Sequence, residues 1–213
     1  MLYYNTVSQE LLNTLTALMA AKPFAEFRLV GGTALSLYYG HRKSVDIDLF
    51  TDAPYGSINF RVINSFLRKN FPYVDPANWE EPGMGISYFI GNDKDACIKL
   101  DLFYTEKFLD DPVTIDDIRM ASAGDIIAMK MDVVQRGGRK KDFWDIHELT
   151  KDYSITQMLD LHKLRYPFTH GPEQLKNNFA DFSRADEDFE PVCLKGKHWE
   201  LIKLDLIDLI KEI

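Results

Sequence analysis

The chain is poor in cysteine. Cys97 and Cys193 stand far apart in 213 residues, with no CxxC pair and no neighbouring Cys/His cluster. A disulfide framework is excluded, and a structural zinc site has no ligands at the right spacing. The five histidines, at 41, 147, 162, 170 and 198, show neither HxxxH nor HExxH spacing. Nowhere do about twenty apolar residues run together, so no membrane span is expected. The first twenty residues lack a basic start and are interrupted by Asn5, Gln9, Glu10 and Asn13, which fits no signal peptide. A cytoplasmic location is the expectation. Neither GxxxxGK[ST] nor GxGxxG occurs, which disfavours P-loop and dinucleotide-binding chemistry. Low-complexity tracts and internal repeats are absent too, and 46% hydrophobic with 13% aromatic residues argue for a packed core over disorder.

An excess of positive charge is also missing. Lys and Arg number 25 against 33 Asp and Glu, a net of −8. A general polyanion-binding surface is therefore unexpected. The excess is local, however. Residues 106–117 hold five acids against Lys107, and residues 181–190 hold five against Arg184. Each stretch carries −4 and the remainder is neutral, so both stretches are expected to lie away from any phosphate-binding cleft.

The order of elements reads helix, strand, helix, strand, helix, hairpin, and then helices. Thr6-Val-Ser-Gln9 has capping-box form ahead of Leu11, Leu15 and Leu18. A short strand at 27–30 ends at Gly31-Gly32, a helix follows over 33–39 to Gly40, and a strand spans 45–50. An amphipathic helix over 57–68 precedes two apolar runs, 86–90 and 97–104, joined by a polar loop that signals a hairpin. Strands interleaved with helices and closed by a hairpin imply an α/β, or α+β, fold with a mixed sheet. Beyond it, helices are expected over 122–134, 141–150, 156–165, 172–182 and 197–213, the last with Trp199, Ile202, Leu206, Leu209 and Ile213 on one face. This divides the chain into a sheet-based core, 1–118, and a helical lobe, 119–213, packed as one unit.

The chemistry gathers around two segments. Asp46 and Asp48 are two apart in a predicted strand, so both project from one face while Ile47 and Leu49 turn inward. Paired carboxylates repel unless a cation lies between them, and oxygen-only ligands favour Mg²⁺ or Mn²⁺. A half-exposed strand with two solvated acids would show the same pattern. Gly31-Gly32 sits between a strand and a helix, where glycine allows a close ligand approach and the helix amides suit phosphate; a tight turn alone would also use it. Asp101 falls among apolar neighbours in the second hairpin strand, either as a third metal ligand or as a partner of Lys99. Arg136, Arg139, Lys140 and Lys141 surround Gly137-Gly138, a loop able to grip triphosphate or RNA backbone, or an ordinary solvated turn. Lys130 reads either as a phosphate ligand or as a snorkelling lysine on an apolar helix.

Gly31-Gly32-Thr33, Arg42-x-Ser44-x-Asp46-x-Asp48-Leu-Phe50, Lys130 and Lys141-Asp142-Phe-Trp-Asp145 together resemble the AbiEii/AbiGii-type nucleotidyltransferases. That family lies within the DNA polymerase β-like superfamily, and many of its members are toxins of bacterial toxin–antitoxin pairs. The motifs extend from residue 29 to about 149 in the family's order. The resemblance implies a polymerase β-like nucleotidyltransferase core with a C-terminal helical lobe completing the active site. It makes Asp46 and Asp48 metal ligands, with Asp101 the superfamily's third carboxylate. Gly31, Gly32, Thr33, Arg42 and Ser44 would surround the triphosphate. Lys130 would neutralise phosphate charge, Asp142 would complete the helical wall, and Lys141 and Asp145 would stand beside the nucleotide. It further implies Mg²⁺ or Mn²⁺ as cofactor, an NTP as substrate, an RNA acceptor such as a tRNA 3′ end, and a cognate antitoxin acting as a transcriptional regulator. Rival readings are a protein adenylyltransferase of the same fold and a non-catalytic nucleotide-binding module.

Overall fold

Seven strands form one mixed sheet in a computed structural model that describes residues 1–76 and 80–211. The strands are β1 (Arg28–Leu29), β2 (Ile47–Thr51), β3 (Tyr73–Val74), β4 (Gly85–Gly91), β5 (Cys97–Tyr104), β6 (Val113–Ile115) and β7 (Ile118–Met120). Their order across the sheet is β3-β4-β5-β2-β1-β7-β6. The β4–β5 hairpin is antiparallel, β5 runs parallel to β2, β2 is antiparallel to β1, and β1 is parallel to β7. The helices are α1 (Gln9–Ala20), α2 (Gly31–Tyr39), α3 (Phe60–Asn70), α4 (Ala123–Gln135), α5 (Lys140–Leu149), α6 (Ile155–Arg165), α7 (Pro172–Phe179), α8 (Ser183–Asp186) and α9 (Trp199–Lys211). No helix among the described residues is long and apolar enough to cross a membrane.

Strict alternation explains β5, where Ile98, Leu100, Leu102 and Tyr104 are buried while the residues between them are half-exposed. One face of the strand therefore joins the core, and the other carries Lys99, Asp101 and Phe103. Glycine ends α2, with Gly40 left-handed at φ 64° and its amide bonded to the Ser36 carbonyl. Ser122 starts α4 by accepting from the Asp125 amide, and Ser154 with Gln157 forms a capping box on α6.

Several expectations are corrected. Ser8, not Thr6, caps α1, accepting from the Leu11 amide at 3.1 Å, while Thr6 donates back to the Tyr3 carbonyl. The helix expected over 172–182 stops at Phe179 and restarts as α8. Ile213 lies outside the described residues. The boundary anticipated at 118/119 runs through β7, because the β6–β7 hairpin was not foreseen. Its two turn residues, Asp116 and Asp117, both have positive φ (50° and 63°), so acids that read as surface charge are a hairpin turn.

The helical lobe is welded to the sheet. Arg165 on α6 bonds Asp125 on α4 at 2.6 Å with both side chains fully buried. The same guanidinium donates to the carbonyls of Glu106 and Lys107, and Asp125 accepts from the Leu109 amide at 2.8 Å. The chain leaving β5 is thereby clamped onto α4 and α6, which fixes the angle at which α4 faces the sheet.

Candidate active site

Register places the carboxylates. β2 and β5 are parallel neighbours, with Asp48 directly opposite Asp101 and Phe50 opposite Phe103. Alternation on β2 sends Ile47 and Leu49 into the core and leaves Asp48 on the open face. Asp46, just before the strand, lines the same cleft. Burial pushes the Asp48 carboxyl up to about 6, and the neighbouring charges of Asp101 and Asp46 push in the same direction.

The chain leaving β1 turns at Gly31 and enters α2 directly, so this helix begins two residues earlier than expected. Gly31 has φ 70°, and a Cβ there would overlap Asp48 Oδ2. Only glycine allows the helix start and the carboxylate to lie this close. A Cβ on Gly32 would overlap the Arg42 guanidinium. The amides at the start of α2 thus face the carboxylate end of the cleft, where a helix N-terminus favours anions. Thr33 donates to the Asp46 carbonyl at 2.5 Å and accepts from the Ser44 hydroxyl at 2.8 Å, tying α2 to the segment that delivers Asp46.

The opposite wall is made by α4 and α5. Lys130 bonds Asp142 Oδ1 and Asp145 Oδ2, each at 2.7 Å. Asp142 Oδ2 also accepts from the Arg139 amide at 3.0 Å, capping α5. Asp145 is fully buried and holds Arg42 in a fork, Nε to Oδ1 at 2.6 Å and Nη2 to Oδ2 at 2.8 Å, with His41 Nε2 at 2.7 Å. Burial alone would raise the Asp145 carboxyl. Arg42 and Lys130, with hydrogen bonds from Arg42 and His41, reverse this and hold it well below the usual range. Burial pulls the Lys130 ammonium down, and Asp142 and Asp145 more than restore it.

Between the walls lies a cleft of about 520 Å³. Gly31, Gly32, Asp46, Asp48, Asp101, Lys130, Lys141 and Asp142 line it, bringing eight of the residues singled out by sequence together. Thr33, Ser44, Arg42 and Asp145 do not line it. Arg42, expected at the triphosphate, and Asp145, expected beside the nucleotide, pair with each other as a buried brace beneath Gly32 and behind Lys130, and Thr33 with Ser44 forms the clip described above. Of the basic loop, Arg136, Arg139 and Lys141 face the cleft, while Lys140 turns away over the Trp199 ring at 5.6 Å. Lys99 lines the cleft paired with Asp101 Oδ2 at 2.5 Å.

Arg184 was missed, and it overturns the expectation for the acidic stretch 181–190. This stretch reaches the cleft, but through its one base. Asp181 caps the Ser183 amide, and Asp186 accepts from Trp199 Nε1 at 2.6 Å and Lys203 at 2.9 Å. No acid of the stretch lines the cleft. Six cations (Lys99, Lys130, Arg136, Arg139, Lys141, Arg184) and four carboxylates (Asp46, Asp48, Asp101, Asp142) therefore share the lining. The stretch 106–117 contributes nothing to it.

The carboxylate end suits a divalent cation. Its donors are all oxygens, Asp101 Oδ1 is buried without a hydrogen-bond partner, and Asp48 is raised by burial and by like charges, the latter of which a cation would offset. Among the described residues no three His, Cys, Asp or Glu side chains converge as closely as a bound ion would hold them. Asp101 is drawn instead to Lys99, and Asp46 to Lys141 at 3.6 Å.

Comparison with known proteins gives a consistent picture. A family model described as nucleotidyl transferase AbiEii toxin, type IV TA system, matches residues 13–209. An uncharacterized protein of Aquifex aeolicus is 32% identical over 150 residues, covering 66% of this chain and 66% of that protein. The chain thus spans about two thirds of the curated relative it matches. Among solved structures, a nucleotidyltransferase candidate from H. pylori has a TM-score of 0.60 at 21% identity, over 96% of this chain and 95% of that one. MenT4, a nucleotidyltransferase toxin of Mycobacterium tuberculosis, has a TM-score of 0.50 at 12% identity, over 93% and 84%. At these identities the likeness is one of fold.

Proposed function

The chain belongs to the AbiEii nucleotidyltransferase toxin family, and from this premise we propose that it moves a nucleoside monophosphate from an NTP to the hydroxyl of an RNA end, a tRNA 3′ terminus foremost. The observation that carries the reading is the register of Asp48 against Asp101 directly beneath the start of α2, across the cleft from Lys130. Triphosphate binding needs amide donors and cations. Nucleotidyl transfer needs carboxylates beside them, and here both sets meet in one cleft.

The acceptor oxygen forms a bond to the α-phosphorus, the bond from that phosphorus to the bridging oxygen breaks, and pyrophosphate leaves. The hydroxyl proton passes to the Asp101 carboxylate, whose Oδ1 has no competing partner. Asp46, Asp48 and Asp101 would hold Mg²⁺ or Mn²⁺, which when bound would lower the pKa of the attacking hydroxyl and offset charge on the leaving group. Gly31 and Gly32 offer backbone amides to the phosphates, and Lys130, kept charged by Asp142 and Asp145, neutralises them. Arg42 and Asp145 are positioning residues acting through Gly32 and Lys130. The sheet core supplies the carboxylates and the helical lobe supplies the cationic wall. The family's type IV toxin–antitoxin assignment supports a toxin role with a cognate antitoxin.

The test is incubation with each labelled NTP, Mg²⁺ and total RNA. Wild-type protein is expected to label RNA in a nuclease-sensitive form, and Asp48→Ala to label none. Label that resists nuclease but yields to proteinase points to a protein acceptor. Equal labelling by Asp48→Ala defeats the assignment.

A further inference from the structure

The cations of the cleft differ in whether a carboxylate already holds them. Lys130 is bound by Asp142 and Asp145, Lys99 by Asp101, Lys141 by Asp46, and Arg136 by Asp132 one helical turn back. Arg139 and Arg184 are different. Among the described residues neither has an acid within 4.0 Å of its guanidinium, although both line the cleft. They flank Gly137-Gly138 from two sides, Arg139 at the start of α5 and Arg184 on α8. Arg184 Nη1 donates to the Gly137 carbonyl at 3.1 Å. A guanidinium carries five N–H donors in a fixed fork, so most of the Arg184 donors remain for a ligand.

Arg184 is also held in place by unusually firm means for a four-residue helix. Ala185 beside it is fully buried. Phe182, just before α8, meets Phe143 edge-on at 5.0 Å and Trp199 at 5.6 Å, and Asp186 is bonded by Trp199 and Lys203. Aromatic packing on one side and a charge-assisted pair on the other anchor the backbone that carries the exposed Arg184 side chain. Placing a lone base on a rigid mount, inside a stretch otherwise acidic, has no structural use that a neutral side chain could not serve.

Along α4 the cleft is lined from Ile126 to Arg136, and its cationic stretch, Lys130 to Arg136, covers six residues and so about 9 Å of helix. This is comparable with the length of a triphosphate chain. The reacting end is marked by Asp46, Asp48 and Asp101, so the far end receives the phosphates that leave. We propose that Arg184, with Arg139, seats the distal phosphates of the NTP and the departing pyrophosphate, acting as a second anion site beyond the start of α2. This rests on the nucleotidyltransferase reading of the cleft and adds to it a residue from the far C-terminal part of the chain. Bidentate contact from a planar guanidinium also gives an orientation that a lysine ammonium would not.

Calorimetric titration with inorganic tripolyphosphate and with the four NMPs, in Mg²⁺, tests this on wild-type protein and on Arg184→Ala, Arg184→Gln and Arg184→Lys. Arg184→Ala is expected to weaken tripolyphosphate binding at least tenfold, about 1.4 kcal/mol, and to leave NMP binding within about twofold. Gln keeps a donor for the Gly137 carbonyl but loses the charge, so it should behave like Ala, whereas Lys should recover part of the affinity. Rescue by Gln and not by Lys would reduce Arg184 to a clip on the loop and overturn the proposal. So would equal losses for tripolyphosphate and NMP, or no loss at all. If wild-type protein transfers label to RNA while Arg184→Ala binds tripolyphosphate normally, only this inference falls. If wild-type protein neither binds tripolyphosphate nor transfers label, the reading of the cleft falls first.

Discussion

Replacing Asp145 by Asn separates positioning from chemistry at this site. The carboxylate is fully buried and receives Arg42 through two bonds of 2.6 and 2.8 Å, Lys130 at 2.7 Å and His41 at 2.7 Å. Asn matches its shape but not its charge, and its amide nitrogen would face a donor. Arg42 and Lys130 are only 3% and 6% exposed; Arg42 would then have no carboxylate bonded to it, and Lys130 only Asp142. Removing one partner of a buried ion pair costs about 3–5 kcal/mol because the other charge stays buried. A domain has a net stability of about 5–15 kcal/mol, so the loss is a large part of the whole. In a chain of this length it lowers the midpoint of thermal unfolding by roughly 10 °C. Urea unfolding at neutral pH, followed by tryptophan fluorescence, reads the free energy directly. Asp48→Asn is the control. It removes a carboxylate that burial and its like-charged neighbours already disfavour, so without added metal its stability should equal or exceed wild type while transfer is lost. The reasoning fails if Asp145→Asn unfolds at the wild-type midpoint, or if Asp48→Asn is the more destabilised of the two.

Gly31→Ala places a residue at φ 70° and its Cβ against Asp48. It should lower stability by about 1–2 kcal/mol and abolish nucleotide labelling, and wild-type labelling by this variant would refute the close approach. Glu148 is buried beneath Lys195 (2.7 Å), Lys197 (2.5 Å) and its own neighbour Lys151 (3.0 Å), and the first two clamp the segment after Pro191 onto α5. Burial would raise its carboxyl, but the three lysines outweigh this and hold it at about 2 against the usual 4.5. A depressed folded value means the stabilisation is complete above about pH 4.5 and fades as the pH falls toward 2, by up to about 3 kcal/mol before screening of the half-exposed lysines reduces it. Glu148→Gln should therefore lose stability at neutral pH, with the gap from wild type closing in acid; a gap independent of pH would contradict the pairing.

Much of this fold is legible because its strands obey the two-residue rule. The alternation in β5, the polar loop before it and the buried–exposed pattern of β2 all survive in the structure and set Asp48 and Asp101 on one face, while the register that puts them opposite each other appears only in the fold. The β6–β7 hairpin was hidden because Asp116-Asp117 is an unusual pair to place at two positive φ values, and a charge count cannot tell a turn from a solvated tail. The cap of α1 shifted by one helical half-turn for a similar reason, since both Thr6 and Ser8 carry a suitable hydroxyl and the choice depends on Tyr3 accepting from Thr6. Arg184 carries no motif at all. Its role depends on Phe182, Asp186 and Trp199 meeting in space, and no spacing in the sequence encodes that meeting.

The motif residues also divide in a way that spacing does not disclose. Arg42 and Asp145 sit in the same blocks as Asp46 and Asp142, so position in the chain gives all four the same standing. Burial distinguishes them. A carboxylate that accepts from Arg42, Lys130 and His41 has no lone pair left for a ligand, whereas Asp101 keeps a buried oxygen without a partner and Asp48 is pushed up to about 6 by burial and by its acidic neighbours. Catalysis needs groups whose interactions are incomplete until substrate arrives, and stability needs groups whose interactions are complete beforehand. The same distinction resolves the charge of −8. The acids of 181–190 are turned onto Ser183, Trp199 and Lys203 or left outside the cleft, while Arg184 alone enters it. An acidic chain can therefore present a cleft in which cations outnumber carboxylates, and the cations without a carboxylate partner add to Lys130 in meeting a polyphosphate.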